Sequence, residues 1–193
     1  MGQLVQQSRA VAVAVKVDEA PSQYLTFSLG GEMFAVGILN VKEIIEYGNL
    51  TEIPMMPAFI RGVINLRGSV VPVIDLSARF GGKSTELSRR TCIVIVEVAD
   101  EETRHDIGIM VDAVSEVLDI PGSEIEPPPT FGARIRADFI FGMGKVNGKF
   151  VIILNINKVL SVEEIAQLTG TEGNTAEAIF ASGATLPTGE KPR

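Results

Sequence analysis

Residues 59–76 read FIRGVINLRGSVVPVIDL, and residues 139–156 read FIFGMGKVNGKFVIILNI. At an offset of 80, Phe59, Ile60, Gly62, Gly68 and Val71 meet identical residues at Phe139, Ile140, Gly142, Gly148 and Val151. Val73, Ile74, Asp75 and Leu76 meet Ile153, Leu154, Asn155 and Ile156. Further upstream an offset of 73 brings Val36, Ile38, Val41, Glu43, Ile44, Ile45 and Pro54 onto Ile109, Val111, Val114, Glu116, Val117, Leu118 and Pro127. The order is the same both times: strand, short turn of helix, proline-bearing loop, aromatic, two glycines, closing strand. Chance matching of valine and isoleucine does not produce ordered agreement of Glu, Pro, Phe and both glycines, so the chain carries an internal repeat. The change of offset falls in the loop from Pro127 to Asp138.

Outside the repeat the pattern is also that of strands. Leu25, Phe27 and Leu29 alternate, Gly30-Gly31 follows, and Phe34, Val36 and Ile38 alternate again, which reads as a hairpin with a two-residue primed turn. Thr91 to Val98 is apolar at both parities, as for a strand buried on two sides. Helices are few. Val41 to Ile45 has room for a single turn, and Ser161 with Glu164 forms a capping box ahead of Ile165 and Leu168. The expected architecture is mainly all-β: two similar small barrels, near 24–82 and 88–160, then a terminal helix at about 161–168. Residues 1–21 and 169–193 have no period that fits a core and read as tails.

Composition excludes several kinds of function. The chain has 193 residues, 46% apolar and 21% charged, an ordinary balance for a folded chain. One histidine and one cysteine leave almost no material for metal clusters or nucleophile–base pairs and permit no internal disulfide, which fits a reducing compartment. A net charge of −7 and a pI near 4.8 repel a phosphate backbone, so nucleic acid is not an expected partner. No run approaches a membrane span, and Ala10 to Val15 is too short for a secretory core, so a cytoplasmic protein without membrane insertion is expected.

Local candidates for chemistry are weak. Glu97, Asp100, Glu101, Glu102 and Asp106 surround His105 but crowd a polar hairpin turn, where solvent is expected to keep every pKa ordinary. Cys92 lies inside an apolar strand and reads as a buried small hydrophobe. Gly142 and Gly144 lie between strand segments with no following helix to meet a phosphate, and Gly81-Gly82-Lys83 lacks the rest of a nucleotide loop. Pro127-Pro128-Pro129 reads as a stiff connecting loop. No catalytic, cofactor-binding or metal-ligating residue is assigned, and no nucleotide binding is expected.

The NLRG turn is more informative. Where the second repeat has Asn147-Gly148, the first has Arg67-Gly68. Asn tolerates the left-handed conformation of a type I′ turn and Arg does so with strain, so the first turn is either type II or strained at Arg67. Both place a cation at an exposed tip. On the residues alone, Arg67 is either an ordinary solubilising charge or a contact, and for Lys42 and Glu43 a solvated face is the default reading.

The stretch VGILNVKEI, followed by IPMMPAFIRGVINLRGSVVPVIDL and later by GIMVDAVSEVL, resembles the CheW family of bacterial chemotaxis coupling proteins over roughly residues 22–168. The resemblance implies two five-stranded SH3-like barrels in tandem. It implies a non-enzymatic adaptor, recruited to membrane-bound arrays, that joins the histidine kinase CheA to the cytoplasmic tips of methyl-accepting chemoreceptors. It also carries receptor contact onto Val41, Glu43, Ile44, Gly62 and Arg67, and leaves the kinase-binding residues unassigned. A chain of this length has room for neither a kinase nor a receiver domain, so the stand-alone coupling protein is the better match. The alternatives are a CheW-like scaffold of a non-flagellar array, such as one governing surface motility, and a small-ligand-binding β-barrel.

Overall fold

The structure, a computed structural model, describes residues 22–100, 103–129, 135–161 and 163–165. The regions read as tails lie outside the described residues. Among the described residues eleven strands run in chain order: β1 (Ser22–Leu29), β2 (Glu32–Gly37), β3 (Val41–Glu46), β4 (Ile60–Leu66), β5 (Ser69–Asp75), β6 (Cys92–Asp100), β7 (Thr103–Val111), β8 (Ala113–Ile120), β9 (Ile125–Glu126), β10 (Ile140–Val146) and β11 (Lys149–Leu154). One-turn helices α1 (Leu76–Arg79) and α2 (Ile156–Val159) follow β5 and β11.

One sheet has the order β3-β6-β7-β5-β4, the other β8-β1-β2-β11-β10-β9. The Thr51 to Val63 bridge beside β4 answers to β9 beside β10, so the two sheets have matching orders. The mainly β, tandem-barrel architecture is therefore present, but the expected lobe boundaries are not those of the sheets. The β1–β2 hairpin pairs with β8 and β11, and the β6–β7 hairpin with β3 and β5. Each half of the chain lends its first hairpin to the other barrel. The connections explain the exchange. Only Asp112 separates β7 from β8, and one 3-10 turn at Ile38–Asn40 separates β2 from β3. Neither link carries its two strands back into an antiparallel pair, so each chain run turns the corner into the other sheet.

That crossing also corrects the helical turn expected at Val41 to Ile45. Those residues form β3, in antiparallel register with β6 from Val41↔Val96 to Glu46↔Cys92, and the helical turn precedes them. β-branched Val41, Ile44 and Ile45 suit a pleated edge better than a helix.

The exchange builds three cores. Ile64, Val71, Val73, Ile93, Ile95 and Met110 fill the first barrel, and Tyr24, Ala35, Ile120, Val151 and Ile153 fill the second. The largest cluster lies between them and includes Leu25, Phe27, Phe34, Val94, Val96 and Ile109. β6 is buried at both parities because Ile93 and Ile95 face the first barrel while Val94 and Val96 face the shared core. Each such side chain contributes roughly 1.5–3 kcal/mol of burial.

Three two-residue hairpin turns among the described residues are primed. Gly30 and Gly31 have φ of 57° and 86°, and Asn147 and Gly148 have 49° and 77°. Arg67 and Gly68 have 52° and 89°, which settles the open alternative: the turn is type I′ and Arg67 occupies the left-handed region. At the chain's end, residues 163–165 are helical, with the Ile165 N–H donating to the Ser161 carbonyl at 3.0 Å. The Glu164 N–H approaches Ser161 Oγ at 3.4 Å, the first half of the expected capping box. Residues 166–168 of that helix lie outside the described residues.

Candidate functional site

β3 is a terminal strand of its sheet, and the β4–β5 turn reaches it through Arg67. The turn is shaped by Asn65, whose Oδ1 accepts the Gly68 N–H at 2.9 Å. From its left-handed position Arg67 reaches back to Glu43 on β3. Nη1 meets Oε1 and Nη2 meets Oε2, each at 3.0 Å, a bidentate fork. The arginine side chain is 79% exposed and the glutamate 25%, so the pair fixes a guanidinium at the surface without removing it from water.

Side chains of β3 alternate. Val41, Glu43 and Ile45 are half-buried, while Lys42, Ile44 and Glu46 are exposed. Val41 packs against the shared core. Ile44 is 43% exposed and so belongs to the surface, although its apolar character alone is equally compatible with the core.

The structure therefore brings Glu43, Ile44 and Arg67 to one edge, with Val41 anchoring the strand. Gly62 is not among them: it is buried at a bulge in β4. A Cβ there would lie 2.2 Å from the Thr51 carbonyl oxygen, so its absence lets Thr51 bridge to β4. Gly62 shapes the barrel through this close approach.

A cleft of about 330 Å³ opens at this edge, lined by Lys42, Glu43, Leu66, Arg67, Ser69 and Asp106. Lys42 Nζ stands 2.9 Å from Glu97 Oε2 and 2.6 Å from Asp106 Oδ1, and Arg104 Nη1 is 2.7 Å from Glu97 Oε1. The Asp106 and Glu97 carboxylates raise the Lys42 pKa. Lys42 first, then Arg104, holds the Glu97 carboxyl below its ordinary 4.5. The expectation that solvent leaves every carboxylate of this hairpin ordinary is thus wrong for Glu97, because pairing of β3 with β6 brings Lys42 across from it. Sequence distance hid that contact: Lys42 reads locally as a solvated charge.

A depressed carboxylate contributes stability at neutral pH that is lost as pH falls through its folded-state value. Carbon-detected NMR titration will place Glu97 below 4.5. Lys42→Gln will move it back upward; an unmoved Glu97 would remove Lys42 as the cause.

Other candidates do not assemble into chemistry. His105 Nε2 lies 2.9 Å from the Thr103 hydroxyl. Cys92 is half-buried against the shared core, with Sγ 3.2 Å from the Arg90 carbonyl, and is less enclosed than its strand position led us to expect. Gly142 and Gly144 lie within β10 and back onto Ile125 and Ile120, so they answer to packing. Among the described residues no three His, Cys, Asp or Glu side chains are placed to hold a metal, and no helix is long and apolar enough to cross a membrane. What the edge offers is recognition: one exposed aliphatic side chain, one fixed guanidinium and a cross-strand charge network.

Comparison with known proteins identifies the family. Residues 23–164 match the family described as CheW-like domain. The chain is 35% identical over 144 residues to the chemotaxis protein CheW of Klebsiella aerogenes, covering 75% of this chain and 84% of that protein. It is 29% identical over 154 residues to protein FrzA of Myxococcus xanthus, covering 79% of this chain and 91% of that protein. Among solved structures, the scaffolding protein TtCheW from Thermoanaerobacter tengcongensis superposes with a TM-score of 0.65 at 38% identity, covering 72% of this chain and 92% of that one. The chain belongs to the CheW-like family, and in keeping with that family it is a scaffold protein and not an enzyme.

Proposed function

We propose that this chain works in chemotaxis signalling by coupling the cytoplasmic tips of methyl-accepting chemoreceptors to the regulatory domain of the histidine kinase CheA. It does so in the cytoplasm, recruited to membrane-bound receptor arrays. The observation that supports this most is the edge strand β3, which exposes Ile44 and, through Glu43, holds the Arg67 guanidinium in a bidentate pair at the surface. Such an edge suits a partner helix that offers an apolar side chain and a carboxylate. Val41, Glu43, Ile44 and Arg67 form the receptor-facing set, and Gly62 keeps the strand beneath in place. The kinase-facing residues stay unassigned.

Scaffolding of this kind acts by linkage. Kinase output follows receptor state only if the contacts differ in free energy between those states, by about 1.4 kcal/mol for a tenfold effect. The test is reconstitution: purified chain, CheA and a receptor cytoplasmic fragment, followed by co-sedimentation and kinase assay. Receptor control of the kinase that needs the chain supports the proposal; binding to neither partner sinks it. The likeness to FrzA, a relative not named for chemotaxis, favours a second reading in which the same scaffold serves an array with another output. The identity of the kinase captured by the chain separates the two.

A further inference from the structure

The 80-residue offset that relates the two halves maps Phe59 onto Phe139 and Arg79 onto Val159. In space the arginine meets its own counterpart. Arg79 Nε–H donates to the Val159 carbonyl at 3.1 Å. Its guanidinium carbon stands 5.4 Å from the Phe59 ring centre and 4.9 Å from that of Phe139. Arg79 therefore sits where the two halves are pseudo-symmetrically related, between one aromatic ring from each.

The side chain is only 5% exposed, and a buried charge without compensation is costly. Burial lowers its pKa, against the opposing pull of Glu164. Among the described residues Nη2 has no well-aligned hydrogen-bond partner; Glu164 Oε1 lies 3.4 Å away, an ion-pair distance at the long limit of a hydrogen bond. The same oxygen accepts a hydrogen bond from Arg136 Nη1. Arg136 is itself fixed to Asp138 at 3.1 and 2.6 Å and lies 4.5 Å over the Phe139 ring. One carboxylate thus serves two guanidiniums that share an aromatic ring. Next to it in the chain, Ile165 is fully buried in the shared core.

We propose that Glu164 and Ile165 form a latch on the internal pseudo-symmetry axis, which when closed balances Arg79 and fastens α1 of the first half to α2 of the second. When the latch opens, Arg79 loses its counter-charge and the shared core loses Ile165, so α1 and α2 loosen as one unit. This does not rest on the receptor reading.

Native-state hydrogen exchange on the full chain tests it. The reporters are the N–H groups of Phe80 and Gly82, bonded to the Leu76 and Ser77 carbonyls, and those of Leu160 and Ile165, bonded to Ile156 and Ser161. In the unaltered chain the four are expected to share one opening, reached more easily than exchange in the β6–β7 ladder. Glu164→Gln, which keeps the size and removes the charge, should speed all four by one common factor of at least ten. Arg79→Lys keeps the charge without the planar group between the rings and should give the same pattern. If Leu160 and Ile165 speed up while Phe80 and Gly82 do not, the chain end merely frays and the latch is refuted. It is equally refuted if Glu164→Gln changes none of them, or if the four exchange only together with the ladder.

Discussion

Arg67→Asn is expected to weaken binding to a receptor cytoplasmic fragment by tenfold or more while moving the melting temperature by no more than a few degrees. Two small effects on stability oppose each other. The substitution removes a bidentate pair whose arginine is 79% exposed, and exposed pairs contribute under about 1 kcal/mol. It also relieves a non-glycine, non-asparagine residue at φ 52°, where the second half already places Asn147 at 49°. Left-handed strain in an ordinary residue is of order 1–2 kcal/mol. Since about 1 kcal/mol shifts a domain of this size by roughly 2–4 °C, the net displacement is small and of either sign.

Binding differs because the guanidinium sits at a surface that becomes desolvated when a partner covers it. Truncating a desolvated, hydrogen-bonded interfacial charge costs about 2–5 kcal/mol, against under ~1 for a rim charge. Isothermal titration with the fragment, paired with thermal melting, reads both quantities. Unchanged affinity returns Arg67 to a solubilising charge. Loss of the fold would show that the Arg67 to Glu43 fork holds β3 against the β4–β5 turn.

Gly62→Ala is expected to act on the fold, through a buried residue packed against Thr51. The new Cβ would stand 2.2 Å from the Thr51 carbonyl oxygen and 2.7 Å from Leu50 Cδ2. The first of these is backbone, so relief requires β4 to move away from Thr51 and breaks their paired hydrogen bonds at 2.8 and 2.9 Å. Its φ of 145° adds strain for any side chain. Overpacking and backbone strain each cost about 1–3 kcal/mol, for a loss of roughly 2–6 kcal/mol and a fall of about 5–20 °C. Gly68→Ala is the control: φ is 89°, but nothing lies within 4 Å of the added Cβ, so only the strain of about 1 kcal/mol remains. Equal melting temperatures for the two variants would mean that the close approach at Thr51 is not what holds Gly62.

The repeat was fully legible in the chain, since duplicated Phe, Gly and Glu positions are local facts that need no partner. The strands at 60–66 and 69–75 and their copies at 140–146 and 149–154 lie where the alignment puts them. So do the primed turns at Gly30-Gly31 and Asn147-Gly148. Among the candidate contacts, Arg67 and Glu43 were visible as charges, but their bidentate pairing was not: it spans two strands that are not sheet neighbours. Lys42 with Glu97 and Asp106 was hidden because β3 is far in sequence from the β6–β7 hairpin it packs beside, and the close packing of Gly62 was hidden because only Thr51, from another segment, shows what a side chain there would strike.

By itself, then, the amino-acid sequence determined two similar β units, the turns that close their hairpins, an acidic surface and a CheW-like scaffold without catalytic groups. The tertiary structure alone decided which hairpin completes which barrel. In a pseudo-symmetric repeat both barrels present the same pairing pattern, so local periodicity is blind to the exchange. It is the short links at Ile38–Asn40 and Asp112 that send each hairpin across, and that crossing buries both faces of β6 and places Lys42 opposite Glu97.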